Sequence, residues 1–103
     1  MSHPITSEAA LLIGRAKHLA DEMASAARYG LPIPAVVSLN SYDNLEGVSF
    51  SLDSMDDFDQ WAEYAEANVR EYEHVARHWH YGVGDLNGLG VTFSFATPAA
   101  VTA

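Results

Sequence analysis

Cysteine is absent from this sequence of 103 residues, which excludes disulfide bridges, thiolate metal sites and cysteine nucleophiles. Basic residues are scarce: five lysines and arginines stand against 14 acidic residues, and the formal net charge is −9. A nucleic-acid duplex or an anionic membrane would repel such a chain, so neither is expected as a direct partner. The N-terminal apolar run, Ala9–Ile13, is too short to span a membrane and follows no basic leader. We therefore expect a cytoplasmic protein.

What the chain does contain is enough apolar sequence for one folded domain. Hydrophobic residues make up 49% of the chain and charged residues 18%, which is typical of a folded soluble protein. Neither a linker nor an internal repeat divides the sequence. We predict a single domain over residues 1–103, with a loose tail from about residue 97, where small residues follow one another without a pattern.

The first predicted element is an amphipathic helix over residues 7–29. Thr6 or Ser7 can cap its start, and Gly30 followed by Pro32 ends it. Apolar residues recur along it at helical spacing: Leu12, Ala16, Leu19, Met23 and Ala27. The pairs Lys17–Asp21 and His18–Glu22 are expected on its solvent face.

Two strands and a second helix follow. Residues 33–40 and 47–52 have strand patterns, with a polar turn at 41–46 between them. Ser54 is a good N-cap for a helix that begins there. The apolar stripe predicted for this helix is Phe58, Trp61, Ala62, Ala65 and Val69. Neither glycine nor proline marks where it ends.

The C-terminal part alternates with a period of two from about Val75, and Asn87-Gly88 predicts a hairpin. The element order is then α-β-β-α-β-β. This order predicts an α+β two-layer sandwich, with a four-stranded, mostly antiparallel sheet and two helices on one face.

The length of the hairpin loop decides where the histidines point. A two-residue loop would place His80 beside Phe95. A three-residue loop, Leu86-Asn87-Gly88, would leave His78 and His80 on the wetter face and gather a continuous apolar face under the helices: Trp79, Tyr81, Phe93 and Phe95. Because burying an unpaired imidazole is costly, we predict the three-residue loop.

The negative charge is concentrated in residues 43–73, a segment with ten acidic residues and a single basic one, Arg70. Such a segment is either a solvated, solubilising surface or a binding surface for a basic partner. The residues that we predict to bind a partner are Asp53, Asp56, Asp57, Asp59, Glu63 and Glu66.

His74, His78 and His80 lie next to Glu71 and Glu73 and are the one metal-like pattern in the sequence. A His-x-His pair on a strand binds zinc only if a third ligand comes from elsewhere. The sequence favours a polar strand face over a metal site. We therefore predict no cofactor and keep His78 and His80 as weak candidate ligands. Neither a nucleophile elbow nor a phosphate-binding loop is present, so we predict no catalytic residue and no enzyme.

Three features together resemble a loose group of small α+β proteins encoded by actinobacteria, their mobile elements and their phages. They are Leu31-Pro32 before the first strand, Asp53-Ser54 before the helix with Trp61, and the Asn87-Gly88 hairpin. The resemblance covers the larger part of the chain. It implies an accessory protein of a phage or mobile element and carries over no chemistry.

The sequence thus favours a small acidic accessory protein that binds a basic surface of a host protein and modulates or inhibits that protein. A nucleic-acid mimic that blocks a defence protein is the sharpest form of this hypothesis. One alternative is an enzyme that binds a metal or small ligand on the His78/His80 strand face. Another is a structural subunit that self-assembles, in the simplest case into a homodimer, through a free strand edge.

Overall fold

The computed structural model describes residues 6–40 and 47–98, and these form an α+β domain. The predicted turn at 41–46 lies outside the described residues. The elements are α1 (Ser7–Arg28), β1 (Val36–Leu39), β2 (Val48–Ser51), α2 (Met55–Tyr64), β3 (Asn68–His74), β4 (Arg77–Leu86) and β5 (Leu89–Pro98). The predicted class is confirmed, but the predicted order is one strand short.

The described strands form a single five-stranded mixed sheet in the order β1-β2-β5-β4-β3. The predicted hairpins, β1–β2 and β4–β5, are both present and antiparallel. The central pair, β2 and β5, is parallel, and β3 adds an antiparallel edge beside β4. The four-stranded sheet expected from the sequence is therefore wrong in strand number. Strand β5 extends to Pro98, and the rest of the predicted loose tail lies outside the described residues.

The missing strand, β3, begins within the predicted helical stripe and continues through residues where the sequence did not fix the end of the second helix. Helix α2 ends at Tyr64, and Glu66 reverses the chain with a positive φ of 49°. Val69, predicted on the helical stripe, instead lies in β3 and is 44% exposed. As a strand, this segment pairs with β4 at seven positions, and the hydrogen bonds of this pairing replace those that a longer helix would form within itself. Helical and strand periods were both compatible with this short apolar pattern.

Helix α1 has the predicted caps. The Thr6 hydroxyl accepts a hydrogen bond from the Ala9 amide at 3.1 Å. Gly30 has a φ of 77°, and the Leu31 amide donates to the Ala26 carbonyl, which is the Schellman ending. The buried stripe is rotated from the predicted one, because Ala26 is buried while Ala27 is exposed.

Both helices pack on one face of the sheet, as predicted. Their side chains join alternate residues of β2 and β5 in one core. Trp61 of α2 is 1% exposed, and its indole NH donates to the Pro32 carbonyl at 2.8 Å. The largest fully buried side chains are Trp61, Phe50, Phe58, Phe93, Val48 and Val91.

The predicted three-residue loop between β4 and β5 is wrong. Leu86 pairs with Leu89 across a two-residue loop formed by Asn87 and Gly88. Both loop residues have positive φ, 51° and 92°, as a type I′ turn requires. The Asp85 carboxylate also accepts a hydrogen bond from the Gly88 amide at 2.9 Å.

Two glycines of β4 explain this register. Gly82 lies opposite Phe93 and Gly84 opposite Val91, so the bulky residues of β5 face glycines under the helices. A Cβ atom at Gly84 would lie 2.9 Å from the Ala65 Cβ and 3.1 Å from the Ala65 carbonyl oxygen. The glycines therefore allow the end of α2 to approach the sheet, which a continuous apolar face on β4 would prevent.

The observed register also reverses the predicted assignment of β4 side chains to the two faces of the sheet. Tyr81 pairs with Ser94 and Trp79 with Ala96, on the face away from the helices. The predicted packing of these two aromatic side chains under the helices is therefore wrong. His80 pairs with Phe95 and lies on the helix-covered side, where the sequence analysis did not expect it.

Candidate functional site

Most of the predicted partner-binding residues are accessible. Asp53, Asp56, Asp59, Glu63 and Glu66 are exposed, whereas Asp57 is half-buried beneath the Ser54 cap. We call the five exposed residues the acidic face. On α2, the spacing of Asp56, Asp59 and Glu63 places them opposite the buried Phe58 and Trp61. Within residues 6–40 and 47–98, none of the five forms an ion pair with a lysine or arginine. The charge of the acidic face is therefore uncompensated.

A groove lined by tyrosines borders the acidic face. Tyr29, Leu31, Gln60, Glu63 and Tyr64 line it, and we call it the tyrosine groove. The Tyr29 and Tyr64 rings meet edge to face with centroids 5.7 Å apart, and Tyr29 is 81% exposed. Glu63 belongs to both surfaces and joins them.

The tyrosine groove was missed in the sequence analysis. Tyr29 is the C-cap residue of α1, and Tyr64 is the last residue of α2. Its only sequence signal was an aromatic residue at each helix end. Nothing in the hydrophobic pattern indicated that these two ends meet.

A second group of polar side chains lies on the β3–β4 hairpin. Glu71 pairs with His80 and Glu73 with His78, so all four point to the same side of the sheet. Glu71 Oε1 lies 3.2 Å from His80 Nδ1, and Glu71 Oε2 lies 3.5 Å from His78 Nε2. We call Glu71, His78 and His80 the histidine cluster.

The three residues of the histidine cluster differ in burial. The His80 side chain is 13% exposed, with its ring centroid 5.9 Å from that of Phe58 and 6.0 Å from that of Phe95. The side chains of His78 and Glu71 are 34% and 58% exposed. The cluster therefore has an anchored inner imidazole and two outer donors open to solvent.

His74 does not join the cluster. It pairs with Arg77 at the hairpin tip, and the alternation of β3 turns it to the opposite face from Glu71. The structure therefore brings together His78 and His80, the two candidates kept from the sequence, and adds Glu71. The sequence reading missed Glu71 as a partner because it did not recognise β3.

No protein-family model, curated protein or solved structure matches this chain. In the part of the chain that the structure describes, no helix has the length and apolar character needed to cross a membrane.

Proposed function

We propose that this protein is an interaction module that binds a basic surface of another protein through the acidic face and the tyrosine groove. The observation that carries the proposal is their adjacency: the exposed Tyr29 ring and the half-buried Tyr64 ring lie beside Glu63, one of five carboxylates that no lysine or arginine neutralises in the described residues. The proposal keeps the partner class expected from the sequence and adds an anchor for it.

The two surfaces supply different parts of binding. Unpaired carboxylates attract a basic partner over a distance and raise its association rate. Binding energy usually comes from a few buried aromatic or arginine contacts. A lysine or arginine of the partner that enters the tyrosine groove would meet the exposed ring of Tyr29 and the carboxylate of Glu63. Such cation–π contacts contribute about 0.5–2 kcal/mol each.

The biological setting remains a proposal based on the resemblance. A phage or mobile-element protein of this kind would bind and inhibit a host protein. If the target groove normally holds nucleic acid, the acidic face would act as a nucleic-acid mimic. The basic character of the target is the part of this hypothesis that the acidic face supports.

The test is capture of host proteins by immobilised wild-type protein and by two charge-matched variants. Asp59→Lys/Glu63→Lys reverses two charges on the acidic face, and Glu8→Lys/Asp21→Lys reverses two exposed charges on α1. Both change the net charge equally. We expect the α2 variant to lose the captured partner, the α1 variant to keep it, and high salt to weaken capture by the wild type. Equal capture by both variants would contradict the proposal.

Self-assembly is a second candidate, supported by the β1 edge. All four residues of β1 are exposed, and Val36, Val37 and Leu39 are 54%, 40% and 40% exposed. Among the described strands, β1 pairs only with β2, so its other edge is available to a second copy. Sedimentation would distinguish a dimer from the monomer expected if the acidic face alone is functional.

A further inference from the structure

The histidine cluster presents three metal-ligating side chains in one place. One donor atom from each of Glu71, His78 and His80 lies within 4.8 Å of the other two. The three residues come from two paired strands, so backbone hydrogen bonding fixes their relative positions. A site on paired strands is held more precisely than one on a loop.

The inner imidazole, that of His80, has a buried ring nitrogen without a hydrogen-bond partner. This atom is Nδ1, and it has no partner in the described structure. It lies only 3.2 Å from Glu71 Oε1, but the two atoms are not in hydrogen-bond geometry. A buried polar nitrogen without a partner is costly, and such a group in a folded protein calls for an explanation.

Two arrangements account for the cluster. In the first, Glu71 forms ion pairs with protonated imidazoles; in the second, Glu71 and neutral imidazoles share a metal ion. A protonated His80 would donate a hydrogen bond from Nδ1, since both ring nitrogens of an imidazolium are donors. The absence of hydrogen-bond geometry at this short distance therefore favours the metal.

The distances fit a small divalent cation. Ligand atoms 2.0–2.1 Å from a tetrahedral zinc ion lie about 3.3–3.4 Å from one another. The two carboxylate–imidazole separations are 3.2 and 3.5 Å. The donors of His78 and His80 are at most 4.8 Å apart, and His78, being 34% exposed, has room to rotate towards His80.

A fourth side chain supports the orientation of His78. Glu73 Oε1 lies 3.8 Å from His78 Nδ1, on the side of the ring away from Glu71. Metal-bound histidines commonly place a carboxylate at the nitrogen that does not bind the metal. This position leaves His78 Nε2 available as the ligand.

We propose that Glu71, His78 and His80 bind one Zn²⁺ ion, with Glu73 as the outer partner of His78. Two imidazoles and one carboxylate are a donor set that zinc uses when a fourth position stays open to water or another ligand. The proposal revises the expectation that the chain binds no metal, and it does not depend on the acidic face or the tyrosine groove.

The experiment is a zinc titration of the purified full chain, stripped with chelator and measured in competition with a chromophoric chelator. The wild type is expected to bind one zinc per chain. Loss of an outer-shell partner weakens metal binding by about 10- to 100-fold, and we expect a loss of that size for Glu73→Gln. Glu71→Gln and His78→Ala each remove a direct ligand, so they should weaken zinc binding by more than this. His74→Ala is the matched control, because His74 is exposed on the same hairpin and faces the other way.

Circular dichroism of every variant separates loss of zinc from loss of fold. A Co²⁺ titration gives a second readout, since tetrahedral cobalt bound to the wild type has a visible absorption band that His78→Ala should abolish. Wild type that takes up no zinc would overturn the proposal and leave the ion-pair arrangement. Zinc binding that His74→Ala weakens as much as His78→Ala would overturn it as well.

Discussion

Glu22 shows how much a single side chain decides in this fold. The sequence pattern placed it in a surface pair with His18, and the two do lie 3.7 Å apart. Glu22 is nevertheless only 8% exposed, and both of its carboxylate oxygens accept hydrogen bonds from the Asn87 side-chain amide at 3.1 Å. It therefore ties α1 to the β4–β5 turn across 65 residues of sequence. Spacing along one helix cannot reveal such a contact.

Replacing Glu22 by alanine removes this connection. We expect Glu22→Ala to lower the free energy of unfolding by about 1.5–3 kcal/mol, the usual contribution of a hydrogen bond to a charged group. Urea unfolding followed by circular dichroism measures the change. Glu8→Ala, at an exposed position in the same helix, is expected to change stability by about 0.5 kcal/mol or less. Equal unfolding midpoints for the two variants would show that the contact to Asn87 contributes nothing.

At the scale of elements, the sequence predicted features that depend on neighbouring residues, but it did not predict features that depend on contacts between segments distant in the sequence. The caps of α1, the start of α2 at Ser54 and the Asn87-Gly88 turn all follow from side-chain chemistry at single positions. The end of α2 and the existence of β3 depend on pairing with β4, which no local residue specifies. The histidines were placed on the wrong face for the same reason, because register depends on what packs against the strand.

The close approach of α2 to β4 gives a prediction at this scale. Gly84→Ala would place a methyl group 2.9 Å from the Ala65 Cβ, so the helix end must shift. We expect a loss of about 1–3 kcal/mol in unfolding free energy, as for other overpacked cores. Gly14→Ala is the control, since no atom lies within 4 Å of the new Cβ and alanine favours a helix by about 0.5–1 kcal/mol. If Gly84→Ala were as stable as Gly14→Ala, the glycine explanation of the register would be wrong.

Across the whole molecule, the acidic face and the two arginines of the β3–β4 hairpin lie on opposite sides of the sheet. The acidic face lies on the helix-covered side, which also carries the three basic residues of α1, Arg15, Lys17 and Arg28. Arg70, Tyr72 and Arg77 lie on the uncovered side. Tyr72 stacks on Trp79 there, with ring centroids 6.4 Å apart. The uncovered side therefore differs from the acidic face in carrying two arginines and a stacked aromatic pair, so a basic partner should favour the acidic face. The charge imbalance was visible in the sequence, but the placement of Arg70 and Arg77 on the uncovered side required the sheet topology.

The central claim is that a partner docks on the acidic face and tyrosine groove. The most direct test is to map amide NMR shifts of the isotope-labelled chain as the captured partner is added. The claim predicts the largest shifts in residues 29–33 and 53–66, with little change in Arg70, Tyr72 and Tyr81. Shifts concentrated on those three residues of the uncovered sheet face, with residues 53–66 unaffected, would contradict it.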